Sequence, residues 1–284
     1  MLPAAGDALL KQYTLADFDC AGLSITGPVR ADNQDAILVP AASASRFPGS
    51  VLALADGMGG YSHGEVASNL ALRQVAQILR ACPPGANYAK YLQQATETAN
   101  LEIYKTAQQL GGERMGTTLL AAYLSGNLLH LAHIGDSRAY LIRNGNSTCL
   151  TSDHTTVGEL VRARMLPPEY VRSHEQRSVL TRALGLALFV QPDLSQTKLQ
   201  PADWIVLVSD GVWAAVEDSQ FGETAQKSGN AQSLCEALLE LAIAQGSDDN
   251  CSAIALRIRG FRFQSYEEPA QKERNWLGFL GRSS

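Results

Sequence analysis

Two stretches of this chain, VLALADG (residues 51–57) and IVLVSDG (residues 205–211), each run through apolar residues into an aspartate followed by glycine. A single Asp-Gly is most often a turn. However, aspartates also border three other predicted strands, and these are Asp32 with Asp35, Asp136, and Asp248 with Asp249. Because a layered sheet structure brings such strand ends together at one rim, the recurrence predicts a cluster of carboxylates at one edge of the fold.

Clustered carboxylates repel one another and raise one another's pKa, so a bound cation is needed to neutralise them. Carboxylate and carbonyl oxygens favour Mg²⁺ or Mn²⁺ over Zn²⁺ or Cu²⁺. Two such ions, about 3.5–4 Å apart, commonly serve displacement at phosphorus. Arg30 lies five residues before Asp35. Its guanidinium suits a bidentate phosphate contact, although a lone arginine is more often a surface ion-pair partner.

Composition limits the other classes of function. The 284 residues are 45% hydrophobic and 18% charged, which is typical of a globular domain. The net charge of −5, with scattered Lys and Arg, argues against nucleic acid as a partner. Five separated cysteines without a CxxC pair argue against a zinc or disulfide framework, and favour the cytoplasm. We expect no signal peptide and no membrane span, since no apolar run reaches roughly 18–20 residues.

The order of predicted elements favours an α+β layered domain with antiparallel sheets over a doubly wound parallel sheet, because strands come in runs and helices in pairs. The apolar periodicity predicts strands at 18–26, 34–40, 51–55, 203–211 and 251–259, helices at 65–80, 88–110 and 231–245, and a three-stranded antiparallel meander over 117–145. Residues 151–185 read as a helical excursion, in which a helix restarts after Pro167 and Pro168.

Seven segments in order resemble the PP2C-type, metal-dependent Ser/Thr protein phosphatases in their bacterial form. They are RADNQD, LALADGMGG, GTTLLAAYLSGNLLHLAHIGDSRAYLIRNG, LTSDHT, SVLTRALG, VLVSDGVW and DDNCSAIAL, spanning residues 22 to about 258. The resemblance implies a four-layer α-β-β-α sandwich with two antiparallel sheets. It also implies a phosphatase domain at residues 1–262 with a flap at about 151–185, followed by a tail at 263–284. The tail is read as a frayed end, or as a docking patch built on WLGFL.

The resemblance further implies the residues of a two-metal centre. The acid of the DGMGG segment, Asp56, would be shared by both ions, and the Gly57 carbonyl would bind one of them. Asp210 and Asp249, from the SDG and DN segments, would complete the core set. A water or hydroxide bridging the ions would attack phosphorus directly, without a phosphoenzyme.

Three more residues receive roles from the same resemblance. Arg30 matches the phosphate-binding arginine, and Asp35 would orient the water ligands of the metals. Asp136, together with Asp210, would hold a weaker third ion. The implied protein is a phosphoric monoester hydrolase that uses Mn²⁺ or Mg²⁺. It would act as a monomer on phosphorylated proteins and oppose a bacterial Ser/Thr kinase.

Two other classes of function are weighed against this one. A phosphoprotein-binding scaffold without turnover should have lost metal-binding acids, yet Asp56, Asp136, Asp210 and Asp249 are all present. A metal-dependent nuclease is disfavoured by the acidic net charge and by the lack of interleaved basic and aromatic residues.

The chain departs from the family pattern at two positions. Met58 stands where eukaryotic-type members carry histidine, which leaves the proton donor open, and Gln34 stands where many relatives have glutamate. Nearby His63 is read as a helix-start or surface residue. At the two ends of the flap, Asp153, His154 and Arg182 are interpreted as structural hydrogen-bonding residues.

Overall fold

The computed structural model describes residues 11–40, 49–58, 63–112 and 114–266. These residues form ten strands and six α-helices. The strands are β1 (Lys11–Ile25), β2 (Asp35–Leu38), β3 (Gly49–Asp56), β4 (Leu119–Ser125), β5 (Leu128–Ile134), β6 (Arg138–Arg143), β7 (Asn146–Cys149), β8 (Asp193–Lys198), β9 (Trp204–Val208) and β10 (Cys251–Tyr266). The helices are α1 (Gly64–Arg80), α2 (Tyr88–Gln109), α3 (Thr156–Arg162), α4 (Asp210–Trp213), α5 (Asp218–Lys227) and α6 (Ala231–Ala244).

The strands form two antiparallel five-stranded sheets. Sheet I has the order β1-β10-β9-β6-β7, and sheet II has the order β2-β3-β4-β5-β8. Alternate residues of β3 point to opposite faces of sheet II, so Leu52 and Leu54 enter the core between the sheets while Val51, Ala53 and Ala55 face α1 and α2. Helix α6 covers the outer face of sheet I. The α+β sandwich with two antiparallel sheets is therefore confirmed.

Helices α1 and α2 follow the predicted periodicity closely. Each buries a stripe against sheet II and against the other helix, and the stripe of α2 runs through Leu92, Ala95, Ala99 and Ile103. The Asn87 side chain caps α2 by accepting a hydrogen bond from the Lys90 amide at 3.1 Å. Among the described residues, no helix is long and apolar enough to cross a bilayer.

The predicted meander over 117–145 is wrong in its third strand. β4 pairs with β5 in sheet II, but β6 pairs with β7 and β9 in sheet I. The chain therefore crosses between the sheets at Gly135–Ser137, where Gly135 has a φ of 105°. The apolar pattern of a strand is the same whichever sheet it joins, so the sequence could not reveal that β6 belongs to sheet I. The crossing places Asp136 at the rim shared by both sheets.

The flap is less helical than the sequence predicts. It contains only α3 and a single 3₁₀ turn at Pro168–Tyr170, and the remainder is irregular. At the other end of the chain, β10 continues to Tyr266, past the expected domain end. The division at residue 262 stays a prediction, and the WLGFL segment lies outside the described residues.

Candidate metal centre

The backbone around Asp56 is fixed by its neighbours in sheet II. Asp56 ends β3 and stands opposite Asp35 of β2 in the antiparallel register. The Asp56 amide donates to Thr118 Oγ1 at 2.9 Å, and the Asp56 carbonyl accepts from the Thr118 amide at 2.9 Å and from Thr117 Oγ1 at 2.8 Å. Asp35 and Asp56 are thus two acids contributed by one sheet edge.

Gly57 allows the strand end to approach helix α1. Its amide donates to the Gln34 carbonyl at 3.1 Å. A Cβ at this position would lie 2.5 Å from the carbonyl carbon and oxygen of Gly64, the first residue of α1. No side chain fits there without moving backbone, so glycine is required for space.

Asp210 and Asp249 come from sheet I. β9 and β10 pair from Val208↔Ala253 onward, so the end of β9 and the beginning of β10 are neighbours. Asp210 follows β9 as the first residue of α4, and Asp249 precedes β10. The structure therefore places these two acids together at the same rim.

Asp136 joins the cluster from the crossing between the sheets. It is 4% exposed, and its carbonyl accepts a hydrogen bond from Trp213 Nε1 at 2.9 Å. The charges of Asp35, Asp136, Asp210 and Asp249 all raise the pKa of Asp56. All five aspartates proposed from the sequence are therefore close enough to interact electrostatically.

Burial is the main reason why these carboxyl groups are hard to ionise. It raises the pKa of Asp35 to about 7, with the Asp210 charge adding to the effect. Burial likewise raises the pKa of Asp210 to about 6, aided by the Asp249 charge. The pKa values of Asp56 and Asp136 rise for the same reason. The protein thus places several acids where their shared negative charge is costly.

Arg30 supplies the positive charge facing this cluster. Its Nη2 donates to Asp249 Oδ2 at 2.6 Å, and 42% of the Arg30 side chain is exposed. The hydrogen bond to Asp249 raises the pKa of Arg30, and the charges of Asp210 and Asp248 add to that rise. The guanidinium therefore lies beside the acids and within reach of solvent, as a phosphate-binding arginine requires.

The donor set fits divalent metal ions of the hard type. Asp35 Oδ2 accepts from Ser252 Oγ at 2.6 Å, but the buried Asp35 Oδ1 and Gln34 Oε1 have no hydrogen-bond partner among the described residues. As the described side chains stand, no three His, Cys, Asp or Glu residues already form a set that could hold an ion. The fit to a hard divalent ion therefore rests on the oxygen chemistry of these residues.

The two departures from the family pattern lie at the edge of this centre. The Met58 amide donates to the Gly116 carbonyl at 3.0 Å, and a Cβ on Gly116 would lie 2.8 Å from the Met58 sulfur. The Gln34 side chain packs against Gly64, where a Cβ would lie 2.4 Å from Gln34 Oε1. His63 occupies the N-cap position of α1, which agrees with its interpretation as a helix-start residue.

The polar residues of the flap make the structural contacts that the sequence analysis expects. Asp153 accepts two hydrogen bonds from Arg138, at 3.0 and 2.7 Å. His154 Nδ1 accepts from the Gly135 amide at 3.1 Å. Arg182 Nη1 donates to Asp193 at 2.7 Å. These contacts attach both ends of the flap to the sheet rims.

The sequence analysis missed Arg138 and Trp213. The Arg138 guanidinium lies 3.6 Å from the centroid of the Trp213 ring, while the Trp213 indole holds the Asp136 backbone. One signal was available, because Trp213 follows Asp210 by three positions and so shares a helix face with it. The contact with Arg138, however, joins β6 to α4, and these elements are far apart along the chain.

A cleft of about 170 Å³ opens beside the acids. It is lined by Arg177 and Ser178 of the flap, which form the flap wall, and also by Trp213 of α4 and by Asp248 and Asp249. Two of the five acids, Asp210 and Asp249, line it, which makes it a candidate cleft for a substrate.

Comparisons with known proteins point the same way. The family model "Protein phosphatase 2C" matches residues 26–251. The serine/threonine protein phosphatase PstP of Mycobacterium tuberculosis is 39% identical over 239 residues, which are 84% of this chain and 44% of that protein. Protein phosphatase PhpP of Streptococcus pneumoniae is 32% identical over 234 residues, covering 80% of this chain and 92% of that protein.

The fold comparison agrees with the sequence comparisons. The crystal structure of the PstP catalytic domain with two manganese ions superimposes with a TM-score of 0.73 at 33% identity, covering 85% of this chain and 98% of that one. The present chain spans less than half of the full length of PstP.

Proposed function

The chain belongs to the protein phosphatase 2C family, and we propose that it hydrolyses phosphoserine and phosphothreonine on proteins. The observation that carries the proposal is the meeting of five aspartates from both sheet rims beside one exposed arginine. Such a site suits a dianionic phosphate monoester, which needs cations and a guanidinium to balance its charge.

Asp56, Asp210, Asp249 and the Gly57 carbonyl would hold two divalent cations, and Asp136 with Asp210 would hold a weaker third. The relative crystallised with two manganese ions supports Mn²⁺ as the first choice, with Mg²⁺ as the alternative. When bound, the two core cations supply Lewis-acid activation of the attacking water and of the phosphoryl oxygens.

The chain's own residues do the positioning. Arg30 releases Asp249 and takes up phosphate oxygens, exchanging one anionic partner for another. Asp35 lies behind the ligands, with Oδ2 fixed by Ser252 and the unpaired Oδ1 free to accept a hydrogen bond from water. Together these residues orient the phosphate and the water for in-line reaction.

The nearest thiol does not suit a nucleophile, which favours direct attack by water. Cys251 is buried, and burial raises its pKa to about 11, with hydrogen-bonding contacts to Ser247 and to the Gly211 carbonyl. A thiol in that state stays protonated near neutral pH and is a poor nucleophile. The proposal therefore includes no phosphoenzyme.

The proposed partners are phosphorylated proteins and the bacterial Ser/Thr kinases that modify them. The proposal takes the chain to act as a monomer in the cytoplasm, where its five free cysteines would stay reduced. It also takes residues 1–262 as the phosphatase unit, with 263–284 as a C-terminal tail.

The test is phosphate release from an aryl phosphate and from a phosphothreonine peptide, with and without Mn²⁺. Wild-type protein should be active only with metal, and Asp210→Asn should be inactive and bind Mn²⁺ more weakly by calorimetry. Well-folded wild-type protein that binds the phosphopeptide without releasing phosphate would instead support the alternative function, a phosphoprotein-binding scaffold without turnover. Unchanged Mn²⁺ affinity in Asp210→Asn would contradict the ligand assignment.

A further inference from the structure

Arg172, in the irregular part of the flap, donates hydrogen bonds to the segment 213–218, which follows β9. Its Nε donates to the Trp213 carbonyl at 3.0 Å, and its Nη2 donates to the Val216 carbonyl at 3.1 Å and to Asp218 Oδ1 at 2.6 Å. The Arg172 side chain is only 19% exposed. Its Nη1 also lies 3.4 Å from Glu217 Oε2, so a single guanidinium ties the flap to four residues of another segment.

These contacts fall at a structurally sensitive place. Helix α4 is only four residues long and begins at Asp210, a proposed metal ligand. The last carbonyls of a helix lack partners within it, and a basic side chain at that end can satisfy them. Arg172 therefore stabilises the C-terminal end of the helix whose N-terminal residue faces the metal centre.

Trp213 is held at the same time from its other sides. Its indole N–H donates to the Asp136 carbonyl, and its ring packs against Arg138, which is paired with Asp153 at the beginning of the flap. Through Arg138, Asp153 thus attaches the beginning of the flap to Trp213. Arg172, which follows α3 in the chain, is a second attachment of the flap to this helix.

The position of Arg172 also relates it to the cleft. Arg177 and Ser178, a short way further along the flap, line the same cleft as Trp213. Arg172 itself does not line the cleft. Its contacts fix the distance between the flap wall and the α4 wall, without touching what lies between them.

We propose that Arg172 is a positioning residue that holds the flap wall of the cleft against helix α4 and so sets the affinity for peptide substrates. The proposal rests on the function proposed above and specifies how that site selects substrates. A small aryl phosphate needs only the phosphate-binding groups, whereas a phosphopeptide also lies against the two walls. Loosening the flap therefore weakens peptide binding selectively.

Two variants distinguish the hydrogen-bonding geometry of the Arg172 guanidinium from its positive charge. Arg172→Met keeps the aliphatic stem and removes every donor, while Arg172→Lys keeps the charge with fewer directed donors. Arg162→Met is the matched control, because Arg162 pairs with Glu159 and Asp193, neither of which belongs to α4.

Hydrogen exchange provides a readout that needs no catalysis. Arg172→Met should raise the exchange rates of amides in 171–179 and 213–218 by about tenfold or more, since hydrogen bonds to a charged group are lost. Arg172→Lys should fall between wild type and Arg172→Met. Arg162→Met should leave 213–218 at the wild-type rate.

Kinetics and calorimetry then test the consequence. Arg172→Met should raise the KM for a phosphothreonine peptide by about tenfold, because the flap is no longer held against α4. KM for the aryl phosphate and the Mn²⁺ affinity should stay at wild-type values. Equal increases in both KM values, or wild-type exchange in 171–179, would overturn the proposal. An inactive wild-type protein would overturn the proposed function instead, and the exchange rates would still decide whether Arg172 couples the two segments.

Discussion

Asp35→Asn should stabilise the metal-free protein at alkaline pH, although it removes a proposed functional residue. Asp35 is 8% exposed, and burial raises its pKa to about 7 from an ordinary value of 3.8. In metal-free protein the folded state therefore holds this proton more tightly than the unfolded chain does. The part of the free energy of unfolding that comes from protonated Asp35 is fully present below about pH 4 and is lost as the pH rises through about 7.

The magnitude follows from the same values. Each pH unit between the unfolded and folded pKa is worth about 1.4 kcal/mol, so ionising Asp35 in the folded protein costs at most about 4 kcal/mol at pH 8. Asparagine avoids this cost but weakens the hydrogen bond from Ser252 Oγ, which is worth about 1–2 kcal/mol. The expected net gain at pH 8 is about 2–3 kcal/mol, and no gain is expected at pH 5.

Urea unfolding with a chelator at pH 5 and pH 8 measures both values. Asp32→Asn is the control, because Asp32 is an exposed acid just before β2, so the variant removes the same charge without changing a buried site. Adding Mn²⁺ at pH 8 should stabilise wild type more than Asp35→Asn, since the cation offsets the charge that asparagine has already removed. Equal destabilisation by Asp35→Asn at both pH values would refute the argument that ionising the buried Asp35 carboxyl group lowers the stability of the metal-free protein.

Three further substitutions test other parts of the site. Gly57→Ala should lower the free energy of unfolding by about 1–3 kcal/mol, because its Cβ would meet the Gly64 backbone at 2.5 Å; Gly260→Ala, with nothing within 4 Å, is the control in the same urea titration. Arg30→Ala should mainly raise KM for both substrates in steady-state assays, and a wild-type KM would contradict its phosphate-binding role. Arg138→Met should destabilise by about 3–5 kcal/mol in urea, because it leaves the buried Asp153 unpaired; a loss below about 1 kcal/mol would contradict the importance of the pair.

Much of the fold was readable from local patterns. The periodicity of α1, α2 and α6 predicted these helices within a few residues, and the apolar runs predicted β3, β9 and the first part of β10. β7, β8, α4 and α5 were missed. All but one residue of β8 are exposed, and the strand is stabilised by its pairing with β5, so no apolar alternation identifies it. Its existence depends on a partner strand that lies on the other side of the flap in the sequence.

The acids of the site were located by their repetition at strand ends, and the resemblance gave each of them an expected role. Their ligation stays a prediction, while their proximity follows from the structure. The repeated pattern of an apolar strand bordered by aspartate predicted that these acids share one rim. This prediction was possible because each acid lies at a strand end, and strand ends can be recognised from the local sequence.

The sequence by itself determined helices α1, α2 and α6, strands β3 and β9, and which carboxylates sit at strand ends, because those properties depend on near neighbours. Only the tertiary structure decided that β6 leaves the meander for sheet I, which brings Asp136 to the shared rim. It alone also decided that Arg172 and Arg138 meet Trp213. Such contacts join segments that are far apart along the chain, and a side chain's own sequence context does not specify which distant group it will pack against.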